Sequence, residues 1–178
     1  MIVSNATPLI YLAKLGWLDL LKDFFHEIII PAEVKREVVD RGKEQNCLDA
    51  FVVEEAIREG WIKIRKVRRV QMREDTMVGE ELGIDRGEAE AIFLAVELGS
   101  DEILVDQTHA RLAAAIFGLK PRGTIYVLLR ALKEGIFDYD EYLKILEDLV
   151  RAGFRMSGEV YLEAVRLGKE KEEKQGES

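Results

Sequence analysis

The chain has 178 residues, 48% of them hydrophobic, and a net charge of −8, enough for one domain that buries roughly two-thirds of its unfolded surface without a disulfide or a structural metal. That charge excludes a surface attractive to nucleic acid everywhere, because counterion release needs clustered Lys and Arg, though it leaves room for a local site. The single Cys47 excludes an intrachain disulfide and has no Cys or His neighbours at ligand spacing, so zinc is unsupported.

Met1-Ile2-Val3 enters a strand pattern with no basic and apolar leader ahead of it, and no apolar run approaches the roughly 18 residues of a membrane span. The expectation is a cytoplasmic protein with no membrane contact. Asn5-Ala6-Thr7-Pro8 follows the strand, and Thr7 before Pro8 predicts an N-cap with proline at the first helical position. Trp17 to Phe25 continues a second short helix, and Ile28-Ile29-Ile30-Pro31 predicts a buried strand stopped by its proline. A third helix is expected over Glu33 to Val39, with residues 40–47 as loop and a further helix from Leu48 to Glu59.

Trp61 to Val67 alternates apolar and basic residues, the mark of a half-exposed strand. Lys63, Arg65, Lys66, Arg68, Arg69 and Arg73 place six positive charges within eleven residues. They form either a phosphate-contacting edge or a strand edge that charge protects from aggregation. Residues 70–83 predict loop and a short helix. Asp85 is placed to cap a helix running to Leu98, Ile103-Leu104-Val105 is a strand, and Thr108 to Phe117 is helical. After a short edge element at 119–124, helices are expected over Ile125 to Glu134, from Asp138 to Leu149, and from Ser157 to about Leu167.

Alternating strands and helices predict an α/β fold with a mostly parallel sheet covered on both faces. The expected organisation is an α/β domain over 1–135, helices over 136–168 packed on that domain, and a charged, disordered tail over 169–178. The composition, 34% charged with two Asn and four Gln, suits a thermophilic source, since amides are thermolabile and ion pairs desolvate more cheaply when hot.

In an open parallel sheet, ligands bind beyond the carboxyl ends of the strands, where the strand order reverses. Asn5, Asp106 and Glu88 are expected there, with Glu37 leaning in from the third helix. Converging carboxylates repel unless a cation lies between them, and a magnesium-sized ion takes oxygen ligands. Singly, each has a plainer use: Glu88 can complement a helix dipole, Glu37 can face solvent, and Asp106 can cap. His26 reads as structural, whereas His109 follows Asp106 closely enough to face the crevice.

Residues 2–13, Ile-Val-Ser-Asn-Ala-Thr-Pro-Leu-Ile-Tyr-Leu-Ala, resemble the PIN-domain nucleases, in particular the subgroup carrying DUF3368. So do residues 86–92, Arg-Gly-Glu-Ala-Glu-Ala-Ile, and residues 153–161, Gly-Phe-Arg-Met-Ser-Gly-Glu-Val-Tyr. The resemblance covers residues 1 to 168. It implies a three-layer α/β/α sandwich with a C-terminal helical extension. It also implies an acidic Mg²⁺ or Mn²⁺ site that cuts single-stranded or structured RNA, and VapC-type toxins of toxin–antitoxin pairs are familiar members.

Carried over by position, the four acidic sites fall on Asn5, Glu37, Glu88 and Asp106, with Asn5, Glu88 and Asp106 as metal ligands. Thr7 falls beside the first of these as a small hydroxyl residue at the substrate, and Arg86 and Arg111 are, from their own positions in the chain, the cations expected nearest the substrate phosphate. An antitoxin and a homodimer are the implied partners. Two positions depart from the pattern: Asn5 stands where an Asp is usual, and Gln107 follows Asp106 where relatives often have a second acid. A PIN-fold module that binds RNA or protein without cutting is the alternative reading. No Gly-rich phosphate loop follows a strand, which excludes a nucleotide-binding fold of that kind.

Overall fold

The computed structural model describes residues 1–67, 79 and 81–176, the last six by backbone alone. The chain divides into two compact units, Met1–Gly123 and Thr124–Ser178.

The first unit is built on one five-stranded sheet in the order β3-β2-β1-β4-β5, formed by β1 (Ile2–Ser4), β2 (Ile28–Pro31), β3 (Ile62–Arg65), β4 (Glu102–Leu104) and β5 (Lys120–Arg122). Every pairing is parallel, and Val3 lies opposite Ile29 on one side and Ile103 on the other. Strands buried on both faces need continuous apolar runs, and Ile28, Ile29 and Ile30 supply one. The edges read differently: Lys63, Ile64 and Arg65 are exposed on β3, and Pro121 sits in β5, where a missing N–H is tolerated.

Helices α1 (Ala6–Lys14) and α2 (Asp19–Phe25) follow β1, and α3 (Ala32–Lys35) follows β2. A π-helical turn, Arg36–Arg41, then leads into α4 (Gly42–Glu44), and α5 (Leu48–Arg58) comes after it. Beyond β3 come α6 (Arg86–Glu97) and α7 (Thr108–Ile116). Helix α6 packs on β1, β2 and β4, so Ile92 and Leu94 join Val3, Ile29 and Ile103 in one buried cluster. Truncating any of these aliphatic side chains to Ala costs about 2–5 kcal/mol through lost burial and the cavity left behind.

The second unit is helical: α8 (Thr124–Lys133), α9 (Tyr139–Arg151) and α10 (Gly158–Gly176). Asp138 and Glu141 form a reciprocal capping box at the start of α9. The Tyr142 hydroxyl donates to the Ala164 carbonyl at 2.9 Å, tying α9 to α10. Leu146, Leu149 and Phe154 are buried, Leu143 is half-buried and Val150 is exposed. Together these elements are the parallel sheet that the strand and helix alternation predicts and the α/β sandwich with helical extension that the resemblance implies.

Three local expectations are corrected. Asn5, not Thr7, is the N-cap of α1, because Pro8 is tolerated anywhere among the first helical residues whose N–H groups lack partners. The predicted loop over 40–47 is mostly helix, continuing through the wide turn to Glu44. Gly42 permits it, since a Cβ there would stand 2.7 Å from that of Ala50. The last helix passes Leu167 to reach Gly176, with Arg166 bridging Glu163 and Glu170 along its exposed face. Arg68, Arg69 and Arg73, and most of the stretch 70–83, lie outside the described residues. Among the described residues no helix is long and apolar enough to cross a membrane.

Candidate metal centre

The strand order places the reversal between β1 and β4. Asn5 directly follows β1, and Asp106 follows β4 by two residues. A helix feeding a parallel strand runs antiparallel to it, so α6, which leads into β4, begins at the same carboxyl edge. There α1, α6 and α7 all present their N-termini, whose unpaired N–H groups favour anions.

Asn5 is buried, 2% exposed. It caps α1 by position alone, for its side chain accepts no helical N–H. Its amide nitrogen donates to Oε1 of Gln107 at 3.3 Å, and Nε2 of Gln107 donates to the Thr7 hydroxyl at 2.6 Å. The Asn5 oxygen Oδ1 is buried without a hydrogen-bond partner among the described residues. An unsatisfied buried carbonyl costs about 1–3 kcal/mol. Asn is among the best capping residues, so an oxygen withheld from that use fits a site kept for an electrophile.

Asp106 is half-buried on the same edge. Arg111 turns back so that Nη1 donates to the Val105 carbonyl at 3.1 Å. Both side chains close over Gly123: a Cβ there would stand 2.5 Å from Asp106 Oδ1 and 3.3 Å from Arg111 Nη1.

On the start of α6, Asp85 Oδ1 accepts from the Glu88 N–H at 2.8 Å, and Glu88 Oε2 accepts from the Asp85 N–H at 2.9 Å, a complete capping box. Gly87 lies between this box and a further carboxylate, because a Cβ there would stand 3.4 Å from both Asp85 Oδ1 and Glu37 Oε2. Burial pushes the Glu37 carboxyl above the usual range, and the charges of Asp85 and Glu33 add to that against Arg41. Burial likewise raises Glu88; its bond from the Asp85 N–H opposes this, and the charges of Asp85 and Glu37 reinforce it. Both acids sit where a cation would relieve desolvation and mutual repulsion.

Arg86 is placed among carboxylates, its Nε 2.9 Å from Glu90 Oε1 and 3.9 Å from Glu33 Oε2. The buried Glu90 is thereby compensated on its own face of α6 and stands apart from the capping pair. His109 is exposed, as are Lys63, Arg65 and Lys66.

The structure therefore links Asn5 with Thr7 through Gln107, groups Asp106 with Arg111 over Gly123, and sets Glu37 beside the Asp85–Glu88 pair. Among the described residues no three acidic, His or Cys side chains stand together closely enough to hold a metal ion. Three participants escape a reading by residue type. Gln107 reads only as a missing acid, Gly123 carries no functional group, and Glu33 lies a helical turn from Glu37. Gln107 alone leaves a signal, its adjacency to Asp106.

The family model for DUF3368, a PIN domain, matches residues 1–170. Comparison with curated proteins and with solved structures gave no match.

Proposed function

The chain belongs to the PIN-domain family, a nuclease-type fold, and from that premise we propose that it is a Mg²⁺- or Mn²⁺-dependent endoribonuclease, the toxin of a toxin–antitoxin pair. The observation that carries this reading is the buried Oδ1 of Asn5, partnerless at the carboxyl edge where the strand order reverses. Asn5, Glu88 and Asp106 would hold the cation, all through oxygen, as a hard divalent ion requires. When bound, such an ion lowers the pKa of an attacking water and neutralises charge developing on the scissile phosphate.

The chain's own residues supply the rest. Glu37, raised by burial, is the carboxyl that would exchange a proton nearer neutrality than an ordinary carboxylate. Arg111, held by the Val105 carbonyl, sets a fixed cation beside Asp106 for a phosphate oxygen. Thr7 offers a hydroxyl in the first turn of α1. Arg86 reaches substrate only by exchanging Glu90 for a phosphate. We extend the proposal to a cytoplasmic homodimer inhibited by an antitoxin protein.

One observation favours a second reading, a PIN fold that binds RNA without cutting it: the absence of a three-acid group among the described residues. Incubating purified protein with single-stranded RNA and Mn²⁺ separates the two. Cleavage abolished by chelation and by Asp106→Asn supports the nuclease. Retention of RNA without cleavage supports the binding module, and cleavage that survives Asp106→Asn comes from a contaminant.

A further inference from the structure

An amide at a cation site creates a problem that a carboxylate does not have. The two oxygens of Asp are equivalent, but half a turn about the last torsion of Asn exchanges an oxygen that ligates for a nitrogen that cannot. Something must hold the nitrogen away. We propose that Gln107 is a positioning residue that does this: it fixes the Asn5 amide so that its oxygen faces the buried cation site. The proposal rests on the metal-site reading above.

The geometry carries it in two pieces. Gln107 Oε1 accepts from Asn5 Nδ2, engaging the end of the amide that has no use toward a cation. Gln107 faces the same choice of orientation, and its Nε2 is occupied by Thr7 Oγ1. The chain from Asn5 to Gln107 to Thr7 thus begins and ends on the segment entering α1. Separately, the Asn5 oxygen is buried and partnerless and makes no capping bond. A residue free to cap its helix instead points its oxygen elsewhere, with its nitrogen tethered. The two departures from the acidic pattern, Asn5 and Gln107, then belong together: the amide at one position requires the acceptor at the other.

A structural tie between the starts of α1 and α7 would use the same bonds, so the test must separate orientation from anchoring. Mn²⁺ affinity, measured by calorimetry, is compared for wild type, Gln107→Met, Asn5→Asp and the double variant, with Gln107→Glu as the conservative change that keeps the acceptor. Partners that orient metal ligands typically account for about 10- to 100-fold in affinity. Gln107→Met is expected to weaken Mn²⁺ binding about 10-fold or more, and Gln107→Glu to retain it. In the Asn5→Asp background, where no amide remains to orient, adding Gln107→Met should change affinity by about twofold or less.

Equal losses in both backgrounds would overturn the proposal in favour of a structural tie, and so would wild-type affinity in Gln107→Met. If Glu88→Gln and Asp106→Asn weaken binding while Gln107→Met does not, the metal site stands and the positioning role falls. Wild-type protein that takes up no Mn²⁺ overturns both.

Discussion

A Cβ at position 123 would stand 2.5 Å from Oδ1 of Asp106, inside any nonbonded carbon–oxygen contact, so the carboxylate holds its place because residue 123 is glycine. The constraint is mutual exclusion. Either the chain after β5 carries a side chain there, or Asp106 occupies that space.

Gly123→Ala is therefore expected to displace the Asp106 carboxylate and lower Mn²⁺ affinity about 10-fold or more. The overpacking itself should cost about 1–3 kcal/mol. Calorimetric titration and thermal unfolding, run in parallel, check both parts. Unchanged affinity would mean that the position of Asp106 is immaterial to the site.

The raised carboxyls predict how the metal-free protein responds to pH. Glu37 and Glu88 bind protons more tightly folded than unfolded, so their contribution to stability is fully present below the ordinary carboxylate pKa and is lost as pH rises through the raised value. Glu88→Gln keeps an acceptor for the Asp85 N–H while removing the charge. Its stability relative to wild type should improve from about pH 5 to about pH 7.5 in denaturant unfolding, following the sign of that linkage. A difference that does not change with pH would show that Glu88 carries no such shift.

Asp85 plays two opposed parts, capping α6 and adding a negative charge beside Glu37 and Glu88. Asp85→Ala should lose about 0.5–2 kcal/mol with the cap, lowering Tm by roughly 2–4 °C for each kcal/mol in a chain of this size. Asp85→Asn keeps the acceptor and removes the repulsion, so it should cost little. Equal destabilisation in both variants would place the effect in the charge rather than the cap.

Features that depend on neighbours in sequence were legible in it. Asp85 ahead of an apolar helical run announces an N-cap, and Ile28-Ile29-Ile30 announces a strand buried on both faces. Features that depend on partners far along the chain were not. Asn5 and Gln107 lie 102 residues apart, and nothing in either local pattern says that one satisfies the other. Gly123 matters only through the side chain that folding brings over it. The π-helical turn at Arg36–Arg41 is equally hidden, because its side chains are compatible with an ordinary helix and the close packing of Gly42 on Ala50 is a tertiary matter.

The most direct test of the metal centre is anomalous diffraction from crystals soaked in Mn²⁺. A peak in contact with Asn5 Oδ1 and the carboxylates of Glu88 and Asp106 is the predicted result. No peak at that edge, with Glu88 and Asp106 turned into separate ion pairs, would contradict it.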